Sequence, residues 1–257
     1  MVLVTAGYFV YLAGMAVIAP VAARRKARVL ILAFAALAGI AVFGMPHVMP
    51  LVYLLLGYWL PALLVGTPNP RLERRLLDAD HRLFGVKGLV ELEQRAPRIV
   101  VEYLELAYLL CYAAVPAGYA WLVLGGFGSE ADSFWSIVLL ASFLCYGLLP
   151  WMPTRAPRAV EGDIVARRSI IRRLNLAVLD RASVQWNTFP SGHTAASVAT
   201  ALAVGTYMPS AGIVLGVIAV SIATGSVVGR YHYAADAITG VLVAILAFAL
   251  ATAAHGP

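Results

Sequence analysis

Eight stretches of nearly unbroken apolar residues, roughly 2–20, 29–45, 50–66, 101–124, 134–151, 191–209, 211–229 and 236–254, alternate with segments that hold nearly all the charge. A run of about 20 apolar residues matches the hydrocarbon core of a bilayer, where a helix satisfies every backbone N–H and C=O within one segment. The pattern predicts an all-α, polytopic membrane helix bundle with about eight transmembrane helices. The pair 29–45 and 50–66 is short, and Pro46 and Pro50 bracket the turn between its members, which suits a hairpin of tilted helices. No basic residue precedes the first stretch, whereas Arg24, Arg25, Lys26 and Arg28 follow it, the flank order of a retained helix rather than a cleaved signal.

The polar segments have their own period. Residues 70–98 set Arg71, Arg74, Arg75, Arg82, Lys87, Arg95 and Arg98 among Leu72, Leu76, Leu77, Leu83 and Phe84, and 164–181 set Arg167, Arg168, Arg172 and Arg173 among Ile164, Val165, Ile170, Ile171, Leu174 and Leu176. Both read as amphipathic helices lying in the membrane interface with solvated, snorkelling arginines, so that 67–100 and 152–190 are interfacial segments. With eight spans, these segments, 21–28 and the turn 230–235 share one membrane face, which then carries all 19 Lys and Arg; the other face has only Glu130 and Asp132 as charged side chains. Lys/Arg-rich short loops stay in the cytoplasm, so the charged face is expected inside a cell (inner) membrane, with an extracytoplasmic face as the alternative.

Composition agrees: 61% hydrophobic and 12% charged residues with a mean hydropathy of +0.84 lie outside the range of a soluble domain. The net charge of +6 sits beside membrane spans, which points to anionic lipid headgroups as partners and not to nucleic acid. Cys111 and Cys145 fall inside spans as packing thiols. No metal-ligand spacing, nucleotide-binding loop or internal repeat is present, so neither metal nor cofactor is expected, and the pattern sets no oligomeric state.

Polar residues with chemical potential sit where spans meet the charged face. Pro190 and Ser191 are helix-start residues, Gly192 allows close backbone approach, and the first amides of a helix attract an anion, so a phosphate oxygen is expected near Gly192 and the Ser191 hydroxyl with His193 beside it. His232 and Asp236 are four apart, on one face if helical, where the carboxylate takes a hydrogen bond from one ring nitrogen and leaves the other as a nucleophile. A tight turn near Pro209 and Ser210 returns both histidine-bearing ends to the same face. Pro153-Thr154-Arg155-Ala156-Pro157-Arg158 follows the fifth span on that face, and the planar forks of Arg155, Arg158 and Arg230 match phosphate oxygens. By contrast His47, His81 and His255 read as turn, surface and tail residues, Glu102 and Glu105 as interfacial carboxylates or site-facing ones, and Trp135, Trp151 and Trp186 as belt residues.

Together these segments resemble the three signature motifs of the type-2 phosphatidic acid phosphatase superfamily. Pro190-Ser191-Gly192-His193 matches the second motif, and His232 with Asp236 matches the H-x-x-x-D of the third. The resemblance implies a six-helix core, placed at 50–257, with 1–49 as extra N-terminal helices. It also implies a metal-independent phosphohistidine mechanism: His232 attacks phosphorus, Asp236 orients it, His193 protonates the leaving alkoxide, and Ser191, Gly192, Arg155, Arg158 and Arg230 bind phosphate. The implied substrate is a phosphorylated lipid, phosphatidic acid-like or a polyprenyl phosphate or diphosphate. The first motif departs from the usual K-x6-R-P, and its form, with Leu77–Gly85, Tyr108 and Pro116, is similar to the inositolphosphotransferase-like branch. In the third motif Ser226 holds the position of the usual Arg, and Arg230 lies only two residues before His232. Transfer of a phospho-headgroup to an alcohol is the alternative activity, and non-catalytic binding or transport of an anionic lipid a further one.

Overall fold

The apolar stretches fold as α1 (Val2–Ile18), α2 (Ala23–Phe43), α3 (Met49–Trp59), α6 (Arg98–Leu109), α7 (Cys111–Leu124), α8 (Ala131–Gly147), α11 (Gly192–Tyr207), α12 (Pro209–Val228) and α13 (Ala234–His255). The polar segments form α4 (Pro70–Phe84), α5 (Gly88–Arg95), α9 (Pro157–Val160) and α10 (Ile170–Ala182). This computed structural model describes residues 1–45, 49–162, 169–184 and 186–255, and among them it is all-α. His47, the turn at Pro46 and the stretch 164–168 of the second basic segment lie outside the described residues.

Eight full spans are not what the helices show. Three, α2, α12 and α13, are long and apolar enough to cross a membrane, and α6 with α7 makes a fourth if the pair, bent by 64°, is one broken span. Turns consume part of each remaining apolar run: Pro61 starts a 3-10 turn over Pro61–Leu64, and Leu110 interrupts 101–124. Helices of 17 residues such as α1 and α8 reach about 26 Å, short of a core of about 30 Å.

At the centre lies α11, whose Ala, Gly, Ser and Thr residues let neighbours approach closely. Met208 alone separates it from α12, and the Cα of Gly205 lies against Gly212, where a Cβ would come within 2.3 Å. Consequently α12 ends and α13 begins at the end of the bundle where α11 starts. The N-terminal helices belong to the same core: Tyr8 stacks on Phe143 with centroids 4.0 Å apart, and its hydroxyl donates to the Gly57 carbonyl at 2.8 Å.

Both interfacial helices bury polar faces. In α4, capped by Asn69 and started by Pro70, the buried stripe is Glu73, Leu76 and Asp80; in α10, capped by Ser169, it is Arg172, Asn175 and Leu179. Arg172 is thus not a solvated residue of the strip. Leu83, Phe84, Ile170 and Leu174 are exposed instead. Trp135, expected in a membrane belt, is buried at 1% exposure.

Candidate active site

The last turn of α12 decides where His232 points. Gly229 caps the helix, Arg230 follows with φ 58, and the amides of Arg230 and Tyr231 donate to Val227 O at 3.0 Å and Ser226 O at 2.8 Å. These are the paired bonds of a Schellman motif, whose left-handed position usually holds glycine. Arginine there is strained by about 1–2 kcal/mol, and its side chain is what holds it: the guanidinium donates to Gly162 O at 3.2 Å and Pro157 O at 3.4 Å and pairs with Glu161. The turn delivers His232, 5% exposed, just before α13 starts.

His232 and Asp236 do pair, but not along one helical face, because His232 precedes the helix. Asp236 is the third residue of α13, and its Oδ2 reaches back to the Tyr233 amide at 3.1 Å, the returning half of a capping box. The same oxygen accepts from His232 Nδ1 at 3.3 Å and from Asn187 Nδ2 at 2.6 Å. Asn187 also donates to Thr154 Oγ1 at 3.2 Å, and its amide donates to the Thr154 carbonyl at 2.7 Å. One side chain therefore ties the three polar segments together. The Ser191 amide adds a second link by donating to the Asp236 carbonyl at 2.9 Å.

His193, in the first turn of α11, faces His232 with ring centroids 6.1 Å apart and planes at 82°. Tyr58, Tyr108 and Tyr112 surround it at 5.8, 6.2 and 5.4 Å. The two histidines open on a cavity of about 70 Å³ that Arg158, Asn187 and Trp186 also line. Trp186 is thus a cavity residue, while Trp151 stays exposed with its Nε1 donating to Tyr11 Oη at 2.8 Å.

Of the five expected phosphate-binding residues, only Arg158 reaches this cavity wall. Arg155 is held by Glu73, which accepts from its backbone amide, Nε and Nη2 at 2.8, 3.0 and 2.9 Å. Arg230 turns to Glu161, which also accepts from His81 Nε2 at 3.0 Å. Ser191 is fully buried, its Oγ taken by the Thr194 amide at 3.3 Å, and the Gly192 amide goes to Thr188 Oγ1 at 3.2 Å. Gly192 is required by packing: a Cβ would sit 2.1 Å from the Tyr146 ring. Among the described residues no three His, Cys, Asp or Glu side chains gather to hold a metal ion.

Three contributors were not singled out as site residues in the sequence, Asn187, Glu73 and Asp80, and Glu105 was singled out only as one of two alternatives. Asp80, from α4, accepts the Ala234 amide at 3.0 Å and so caps the helix that carries Asp236. Burial pushes its carboxyl up to about 6; the Ala234 amide opposes that and Asp236 adds to it. Since an unfolded Asp titrates near 3.9, the native state holds the proton more tightly, and ionisation destabilises the fold as pH rises through about 6. Asp80→Asn, which keeps the acceptor oxygen, is expected to stabilise the protein at pH 8 by on the order of 1 kcal/mol after solvent screening, the gain fading by about pH 4. Melting in detergent at both pH values checks this, and an equal gain at each would refute it.

Residues 74–250, more than half of the chain and including all three polar segments of the site, match the family model described as the PAP2 superfamily. The match stops at the superfamily and does not select the inositolphosphotransferase-like branch. No curated protein and no solved structure matches the chain.

Proposed function

Since the chain belongs to the PAP2 superfamily, we propose that it is a membrane lipid-phosphate phosphatase that works through a phosphohistidine on His232. The observation that carries the reading is the His232 Nδ1–Asp236 bond of 3.3 Å facing His193 across a cavity that Arg158 lines. With Nδ1 engaged by the carboxylate, Nε2 holds the lone pair. It attacks phosphorus, a P–N bond forms, and the P–O bond to the lipid breaks. Arg158 neutralises the equatorial oxygens as charge develops. His193 gives its proton to the leaving alkoxide, then takes one from water, whose oxygen displaces His232 and releases inorganic phosphate. Asp236, with Asn187 and the Tyr233 amide fixing it, holds the ring and stabilises its positive charge.

Three or four candidate spans support residence in the membrane, and the exposed Leu83, Phe84, Ile170 and Leu174 on α4 and α10 suit substrates presented at its surface. Arg155, Arg158, Arg172 and Arg230 gather at the catalytic end, and such an excess of basic residues suits a cytoplasmic one. The expected result is release of inorganic phosphate by the purified protein from at least one of phosphatidic acid, polyprenyl phosphate or polyprenyl diphosphate, unaffected by chelators. The Pro- and Arg-rich segment 153–158 favours the second reading, transfer of the phospho-headgroup to an alcohol, which a new headgroup lipid in place of inorganic phosphate would identify. Tight binding of every lipid phosphate with no turnover sinks both in favour of binding or transport. Sidedness is read in the same assay, because intact cells hydrolyse externally added substrate only if the site faces outward.

A further inference from the structure

Directly before His232, Tyr231 lies in a more elaborate setting than packing requires. Its ring stacks on Tyr108 with centroids 4.0 Å apart and planes within 2°. Its hydroxyl donates to Glu105 Oε2 at 2.6 Å. Glu105 is itself held by Arg172 Nη1 at 2.7 Å and by Asn175 Nδ2 at 2.8 Å, and Arg172 Nη2 reaches the Gly229 carbonyl at 3.4 Å. Glu105, Arg172 and Asn175 are all buried. A buried ion pair is costly to desolvate, and an apolar cluster of equal volume is often no less stable. Stability is therefore a poor reason for this arrangement; what the pair supplies is a fixed place for one tyrosine ring.

Arg158 lies over that ring, its Cζ 4.9 Å from the centroid. It is half-buried on the cavity wall, and among the described residues no carboxylate pairs with it, whereas Glu73 and Glu161 hold Arg155 and Arg230. An arginine over an aromatic face is attracted by the ring quadrupole, and its in-plane N–H donors stay available to oxygen acceptors. The Arg158 amide also donates to the Arg230 carbonyl at 3.3 Å, which fixes the base of the side chain beside the same turn.

We infer that Tyr231 is a positioning residue: its ring is the seat that holds the Arg158 guanidinium at the phosphate cavity, and the buried Glu105–Arg172 pair holds the seat. The inference rests on the phosphate-handling reading above and extends it from Arg158 to Tyr231 and Tyr108, which line the same cavity, and to Glu105 and Arg172 behind them. Arg172 also lies over the ring, its Cζ 5.5 Å from the centroid, but of the two only Arg158 lines the cavity, so losing the seat weakens oxyanion binding through Arg158.

The test uses the full chain in detergent with inorganic phosphate as probe, its affinity read by 31P NMR titration, beside kcat and KM on the best lipid substrate. Tyr231→Phe, which keeps the face, is expected to bind phosphate within about threefold of wild type, and Tyr231→Leu about tenfold more weakly. Arg158→Leu is expected to lose at least as much. The double variant Arg158→Leu/Tyr231→Leu should be no weaker than Arg158→Leu alone, because the seat acts only through its occupant. Additive losses in the double variant overturn the inference. Should Tyr231→Leu not fold, Arg158→Lys decides: it keeps the charge and loses the flat face, so wild-type affinity in that variant overturns the seat. A wild type that binds phosphate with the expected coupling but turns over no lipid sinks the phosphatase reading and leaves the seat standing; turnover with additive variants does the reverse.

Discussion

His232→Ala is expected to lower kcat for phosphate release by roughly 10⁴-fold or more while the protein still inserts and melts as a folded bundle. The size follows from the role: with the nucleophile gone, the two-step path through a phosphorylated enzyme is closed, and what remains is the binding and electrostatic help of Arg158. The fold survives because Asp236 Oδ2 keeps two of its three donors, Asn187 Nδ2 and the Tyr233 amide. Reactions quenched in alkaline detergent, which preserves the acid-labile P–N bond, should show label from a radiolabelled lipid phosphate on wild-type protein and none on the variant. Turnover within tenfold of wild type would remove His232 from the mechanism.

Glu105→Ala is the substitution with the largest expected cost in stability, about 3–5 kcal/mol. Arg172, 5% exposed, would lose the Glu105 carboxylate that it meets at 2.7 Å, and Asn175 Nδ2 and the Tyr231 hydroxyl would each lose an acceptor. Unfolding in detergent by heat or denaturant measures the loss. The double variant Glu105→Leu/Arg172→Met should recover most of it, since neither charge then remains to be desolvated. A loss below 1 kcal/mol for Glu105→Ala would show that water reaches the pair and that the cluster is not the rigid support described above.

Much of the candidate site was legible because it is local. Pro190-Ser191-Gly192-His193 announces a helix start with a histidine in its first turn, and His232 with Asp236 announces a pair. What the pattern could not carry was partnership across the chain. Arg155 and Arg230 look like free phosphate ligands until Glu73 and Glu161, 82 and 69 residues away, are seen to occupy them. Glu105 in an apolar run reads as a snorkelling carboxylate because Arg172 meets it only when α10 packs on α6. Hydropathy likewise marks where apolar residues lie, not where the backbone turns: nothing at Leu110 distinguishes a straight span from one bent by 64°. Tryptophan near a predicted boundary suits a belt, a cavity wall or a core equally well, and Trp151, Trp186 and Trp135 take up three different settings.

The one-residue link at Met208 gives the far end of the bundle a say in the chemistry. At about 1.5 Å per residue, the 20 residues of α12 put that turn about 30 Å from the Schellman turn that aims His232. The near-contact of Gly205 and Gly212 leaves no slack with which α12 might slide or rotate against α11. Alignment of the proposed site thus behaves like a lever whose fulcrum lies at the opposite end of the bundle. Gly212 tolerates no Cβ at that fulcrum, and inserting a single residue there would turn α12 by about 100° and carry His232 away from His193.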